Sequence, residues 1–206
     1  INLRAYSDDS DIVSEYGLQF IKGIEDQGLF ACPKHFPGHG NTSIDSHTSL
    51  PIINNSLDEL NEIELKPFKN AVDNGVKMIM TGHIAMPALD NSNKPASHSY
   101  KITTEILRNS WNFKGLIITD GMEMSGITGE AWSGESAIRA IEAGADIILL
   151  PIDVERTIES IYKAVQSGRI SEERINFSID KILDSKYKLN LFNHIYDFEK
   201  MSTVVG

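Results

Sequence analysis

The sequence predicts an α/β protein built on a parallel sheet, and three observations predict it. First, four short apolar runs, at 29–32, 76–80, 116–118 and 147–150, are too short for buried helices and mostly lack the polar alternation of half-exposed strands. They read as strands covered on both faces. Second, helical patterns lie between these runs, and such alternation implies right-handed βαβ units in a sheet either open and doubly wound or closed as a barrel. Third, polar residues collect just after the runs: Lys34 and His35 after the first, Thr81 and His83 after the second, Thr119 and Asp120 after the third, Asp153 after the fourth. In both architectures the site lies at the carboxyl ends of the strands, so these side chains are expected to converge on one rim. That convergence is the main argument from the residues for an enzyme.

The elements follow in order. Ile12, Tyr16, Phe20 and Ile24, at spacing four, predict the first helix. Ser56 with Glu59 forms a capping box that opens a helix running toward Gly75, and Pro67 is expected to kink it. Further helices are predicted at 103–111, 135–143, 154–166 and about 172–191, where Ile175, Ile179 and Ile182 share a face. No repeat, linker or low-complexity stretch divides the chain, so 1–206 reads as one domain.

Composition excludes several partners. The 206 residues are 41% hydrophobic, enough for an ordinary globular core. Asp plus Glu outnumber Lys plus Arg by 29 to 19, and a net charge of -10 repels nucleic acid and anionic membranes. No apolar run approaches the ~20 residues that span a bilayer. The one cysteine, Cys32, can form no internal disulfide and most simply packs as a small buried residue.

The stretch KHFPGHGNTSIDSH, residues 34–47, holds three of the six histidines beside Asp45. As a metal site it would use His35, His39, Asp45 and His47, but Pro37, Gly38 and Gly40 make the helix that would aim an H-x-x-x-H pair implausible. A phosphate loop would need a glycine pattern that is absent. An acid/base reading explains more: Asp45 and His47 are one serine apart, so a tight turn lets the carboxylate hold one ring nitrogen while the other faces the cleft. Asp120, at the mouth of the third strand, is then a natural nucleophile.

These residues carry a family resemblance. KHFPGHGNTSIDSH resembles the signature of the bacterial β-N-acetylhexosaminidase branch of family 3 glycoside hydrolases, and FKGLIITDGMEMSGI (113–127) resembles that family's nucleophile segment. The similarity extends from NLRAYSDD at Asn2 to the last helices. It implies a (β/α)8 barrel that removes terminal β-linked N-acetylglucosamine with retention of configuration, without cofactor or metal. In this reading Asp120 is the nucleophile, His47 the acid/base and Asp45 its dyad partner. Arg4, Lys34 and His35 match positions that hold the sugar's hydroxyls, and His83, in MTGHI, is expected at the substrate as well. The resemblance favours a small carbohydrate substrate from cell-wall (peptidoglycan) turnover and a cytoplasmic location, with a periplasmic or secreted one left open. The alternatives are a β-glycoside phosphorylase or another family 3 β-glycosidase and, from other classes, a metal-dependent hydrolase or a non-catalytic glycan-binding barrel.

A complete barrel takes ~250 residues, and only four strands are clear here. The chain is therefore expected to supply the C-terminal part of the barrel, with the earlier strands lying before Ile1. Open strand edges in such a piece are expected to self-associate or borrow strands.

Overall fold

A computed structural model describes residues 5–42, 50–123 and 133–192. The pairing expected of the apolar runs is found at its centre. β1 (Met78–Thr81) and β2 (Leu116–Thr119) lie parallel, with Met78 opposite Leu116 and Thr81 opposite Thr119. Ile79 and Ile117 are fully buried, and β2 is nearly covered on both faces as expected, whereas on the other face of β1 Met78 and Met80 are only half-buried.

The outer two runs follow the same direction but do not form regular strands. On the β1 side, Met80 N donates to Pro33 O (3.1 Å), Phe36 N to Met80 O (2.8 Å) and Gly82 N to Phe36 O (2.7 Å). The pairing thus falls at Pro33–Phe36, later than the predicted 29–32, and Leu29 is left exposed. On the β2 side, Thr119 N donates to Ile147 O (3.1 Å) and Met122 N to Leu149 O (2.9 Å), while Leu149 N turns to the Thr119 hydroxyl (3.0 Å). A side chain thus replaces a main-chain acceptor, and the ladder stops.

The four parallel segments therefore stand in sequence order: 33–36, β1, β2, 147–149. A doubly wound sheet breaks such order at its switch point, whereas a (β/α)8 barrel keeps it throughout. The observed order is the one a (β/α)8 barrel requires.

Helices cover the outside. α1 (Ser10–Glu25) is capped by Asp9, whose carboxylate accepts from Asp11 N (2.8 Å) and Ile12 N (3.2 Å). Of the stripe that predicts α1 only Ile24 packs inward, beside Ile21 from outside the stripe, while Ile12, Tyr16 and Phe20 are exposed. The capping box of Ser56 and Glu59 opens α2 (Leu57–Glu62) as expected. The expected kink at Pro67 is instead a break, and a new helix, α3 (Lys66–Asp73), begins there. Proline in a first turn loses nothing, because its missing N–H would have no helical partner anyway.

The helix expected at 103–111 is a π-helix over Lys101–Ser110, starting two residues earlier and ending one earlier. α4 (Ser133–Ala143), α5 (Val154–Gln166) and α6 (Glu172–Lys188) match the expected positions, α6 ending three residues early. Asp153, expected at the rim, is the N-cap of α5 and accepts from Arg156 N (3.0 Å). No described helix is long and apolar enough to cross a membrane.

The core centres on Phe36, whose ring meets Phe68 of α3 and Trp111 edge-on at 5.4 and 5.5 Å, with Ile79, Ile84, Met86 and Leu107 fully buried around it. Each such side chain stabilises by roughly 1.5–3 kcal/mol. On the outside, Arg169 joins Glu135 (2.7 Å) and Glu142 (2.8 Å). Hydrogen bonds from Arg169, then Arg139, pull the Glu135 carboxyl down to about 2 from its ordinary 4.5. A depressed carboxylate contributes stability above its unfolded value and loses it as pH falls through the folded one. The stability deficit of Glu135→Gln, read as a shift in urea midpoint, is therefore expected to be full at pH 7 and to close between about pH 4.5 and 2.

Candidate active site

Asp120 leaves the end of β2 with its main-chain N–H on Thr81 O (2.9 Å). Its carboxylate Oδ1 accepts from Gly121 N (2.9 Å). Oδ2 faces His35 Nε2 at 3.5 Å, and the two side chains are 16% and 8% exposed. The carboxylate is thus held by the protein yet reachable from the rim, as attack on an electrophilic carbon requires.

His35 arrives from the 33–36 segment, in which the Lys34–His35 and Phe36–Pro37 peptide bonds are cis. Its ring packs edge-on to His39, centroids 5.9 Å apart. A glycine makes room for it: a Cβ on Gly82 would stand 2.9 Å from His35 Cβ, closer than side chains tolerate. Lys34, one residue earlier, is exposed. His35 and Asp120, eighty-five positions apart, therefore meet because the 33–36 segment and β2 flank β1 on either side.

His83 reaches the same place but not in the expected way. It is fully buried, with Nδ1 2.8 Å from Ser97 Oγ and Nε2 3.1 Å from Gly121 O. Burial, the largest influence, pushes its pKa down and keeps the ring neutral. Both nitrogens are taken up by the protein, so His83 offers no donor or acceptor to a sugar in this geometry. The rim threonines are likewise occupied: Thr81 Oγ1 donates to Ile118 O (3.3 Å), and Thr119 Oγ1 accepts from Leu149 N.

The loop after His35 is seated against Glu64, in the link between α2 and α3. Gly38, at φ 133°, lies so close to Glu64 that a Cβ would be 2.6 Å from Glu64 Cβ. Asn41 Nδ2 donates to Asn55 Oδ1 (3.3 Å), and Asn55 Nδ2 to Glu64 Oε1 (3.1 Å). Burial raises the Glu64 carboxyl above its ordinary range. Further along the chain, Ile53 N donates to Ala85 O and Ala85 N to Pro51 O, both 2.9 Å. Arg4, Asp45 and His47, the remaining expected site residues, lie outside the described residues.

Ser97, Gly82 and the Asn41–Asn55–Glu64 chain escape sequence reasoning. Each acts through a tertiary contact, and no local spacing marks it.

Comparison with known proteins bears on the family and the fold. The model of the glycosyl hydrolase family 3 N terminal domain matches residues 1–185. The β-hexosaminidase A of Pseudoalteromonas piscicida is 34% identical over 92% of this chain and 35% of its own length. A β-hexosaminidase of Neisseria gonorrhoeae is 38% identical over 73% of this chain and 41% of its own. Among solved structures, a family 3 β-N-acetylglucosaminidase from a Paenibacillus species superposes with a TM-score of 0.91 at 36% identity, covering 94% of this chain and 37% of that one. The chain thus spans well under half the length of these relatives. A match running through all four parallel segments and the last helix, on a sheet in barrel order, leaves one conclusion: the chain belongs to glycoside hydrolase family 3, within its N-terminal (β/α)8 barrel domain.

Proposed function

We propose that the whole protein is a retaining β-N-acetylhexosaminidase that removes terminal β-linked N-acetylglucosamine, with peptidoglycan fragments as its substrates. The observation that carries this reading is Asp120 at the carboxyl end of β2, its carboxylate partly exposed beside His35. The naming of the P. piscicida, N. gonorrhoeae and Paenibacillus relatives supports the sugar class.

In the first step Asp120 attacks the anomeric carbon while the glycosidic C–O bond breaks, and His47 gives its proton to the departing oxygen. In the second, water attacks the same carbon, His47 takes the water's proton, and the bond to Asp120 breaks, regenerating the carboxylate. Asp45 orients His47, a role the motif supplies. Retaining enzymes usually pair two carboxyls ~5 Å apart; a neutral histidine base instead adds no second negative charge beside the nucleophile. Lys34, His35 and Arg4 hold the sugar's hydroxyls.

The test is the whole protein acting on 4-nitrophenyl β-N-acetylglucosaminide, with the product followed by proton NMR. The expected first product is the β-anomer, formed at the same rate with a chelator and with no sugar phosphate when inorganic phosphate is added. A first-formed α-anomer would overturn retention, a sugar 1-phosphate would make the protein a phosphorylase, and chelator sensitivity would make it metal-dependent.

A further inference from the structure

His83 has no step in this scheme, yet it is fully buried against the residue that follows the nucleophile. Three consecutive residues carry the chain out of β2, and each is held by a different part of the fold. Asp120 N donates to Thr81 O (2.9 Å), Gly121 O accepts from His83 Nε2 (3.1 Å), and Met122 N donates to Leu149 O (2.9 Å). The outer two are main-chain bonds to neighbouring segments of the sheet. The middle one falls on a glycine, whose backbone has the widest choice of φ and ψ, and a side chain supplies it. The Gly121 N–H meanwhile donates to Asp120 Oδ1 (2.9 Å), so the conformation of Gly121 and the direction of the carboxylate are set together.

Chemistry fixes the sense of the His83 bonds. A carbonyl only accepts, so Nε2 carries the proton, and Nδ1 is left to accept from the Ser97 hydroxyl at 2.8 Å. Ser97 is anchored in turn, its N–H donating to Gly82 O (3.2 Å). Burial, which keeps the ring neutral, maintains Nδ1 as an acceptor.

We propose that His83 is a positioning residue for Asp120: Ser97 holds its tautomer, and the ring clamps the Gly121 carbonyl so that the carboxylate is aimed at the anomeric carbon. This rests on reading Asp120 as the nucleophile. Because His83 touches no sugar, its loss acts on turnover rather than on binding.

The test uses the whole protein with 2,4-dinitrophenyl β-N-acetylglucosaminide, whose leaving group needs no proton, so that the attack by Asp120 is exposed. Inhibition by free N-acetylglucosamine reads binding separately. His83→Phe keeps the volume but makes neither bond, and His83→Asn can reach Ser97 but not Gly121. Both are expected to lower kcat by ~10–100-fold, the scale of a misaimed reacting group, with N-acetylglucosamine inhibition unchanged. His83→Gln, whose amide nitrogen stands near the place of Nε2, should recover most of that loss, and Ser97→Ala should fall between. If His83→Phe does not fold, the Gln, Asn and Ser97 variants still decide. Gln no better than Asn, or weakened N-acetylglucosamine inhibition with kcat intact, overturns the positioning role. Trapping the glycosyl-enzyme with a slow fluorosugar separates the two readings. Label on a peptide lacking Asp120 defeats the nucleophile assignment, whereas label on Asp120 with Gln no better than Asn defeats the His83 proposal alone.

Discussion

Asp120→Asn is expected to cut kcat of the whole protein on aryl β-N-acetylglucosaminides by a factor on the order of 10^4, roughly 5 kcal/mol of transition-state stabilisation. The substitution is close to isosteric. The amide oxygen can still accept from Gly121 N, as Oδ1 does, and the main-chain bond to Thr81 O is untouched. What is lost is the anionic oxygen beside His35, since an amide is a poor nucleophile at an acetal carbon. Melting should therefore stay close to wild type while turnover collapses. Asp120→Ala adds a positive control: with the carboxylate gone, azide has room at that face and should yield the α-glycosyl azide. Wild-type turnover by Asp120→Asn would overturn the assignment, and so would an azide product of β configuration.

The sequence reveals the rim better than the strands beneath it. Apolar runs locate β1 and β2 because neither strand has an exposed residue, every position being buried or half-buried, and burial writes itself into composition. At 29–32 the same signal misleads: Leu29 is apolar but exposed, and the pairing with β1 begins only at Pro33, through carbonyls that any residue could supply. Pro67 is misread for a related reason, since a proline that kinks a helix and one that starts a helix look alike until the break before it is seen. Asp120 is legible because a charged side chain directly after a doubly buried strand can sit only where that strand opens to solvent. Asp153 stands in the same relation to the fourth run, yet serves as a helix cap. His83 is found by position but not by role, because its role depends on Ser97 and Gly121, which reach it only through the fold.

Asp146→Ala is expected to produce the largest loss of stability, about 3–5 kcal/mol, the usual cost of orphaning a buried charge. Asp146 sits at the amino end of the sheet, its side chain fully buried. Its Oδ2 accepts from Arg108 Nη2 (2.7 Å) and from Ile117 N of β2 (2.9 Å), and its Oδ1 from Ser178 Oγ of α6 (2.7 Å). Arg108, on the π-helix, also caps Phe113 O (3.0 Å) and Gly115 O (2.6 Å), while Arg174 ties Ser178 to Ala145 O (2.6 Å). One carboxylate thus joins the π-helix, β2 and α6. Removing it leaves a guanidinium, an amide and a hydroxyl buried together without their acceptor. Asp146→Asn keeps an acceptor for Ile117 N and should cost less, and Asp146→Ala with Arg108→Met should cost less than the two single losses added, since neither charge is then left alone. Urea midpoints followed by tryptophan fluorescence rank the variants, and a loss under about 1 kcal/mol for Asp146→Ala would mean that the hub is not what holds this end together. Below its melting range Asp146→Asn should turn over substrate at close to the wild-type rate, because β2 presents Ile117 to the floor and Asp120 to the rim, and in a (β/α)8 barrel stability and chemistry are carried at opposite ends of the same strand.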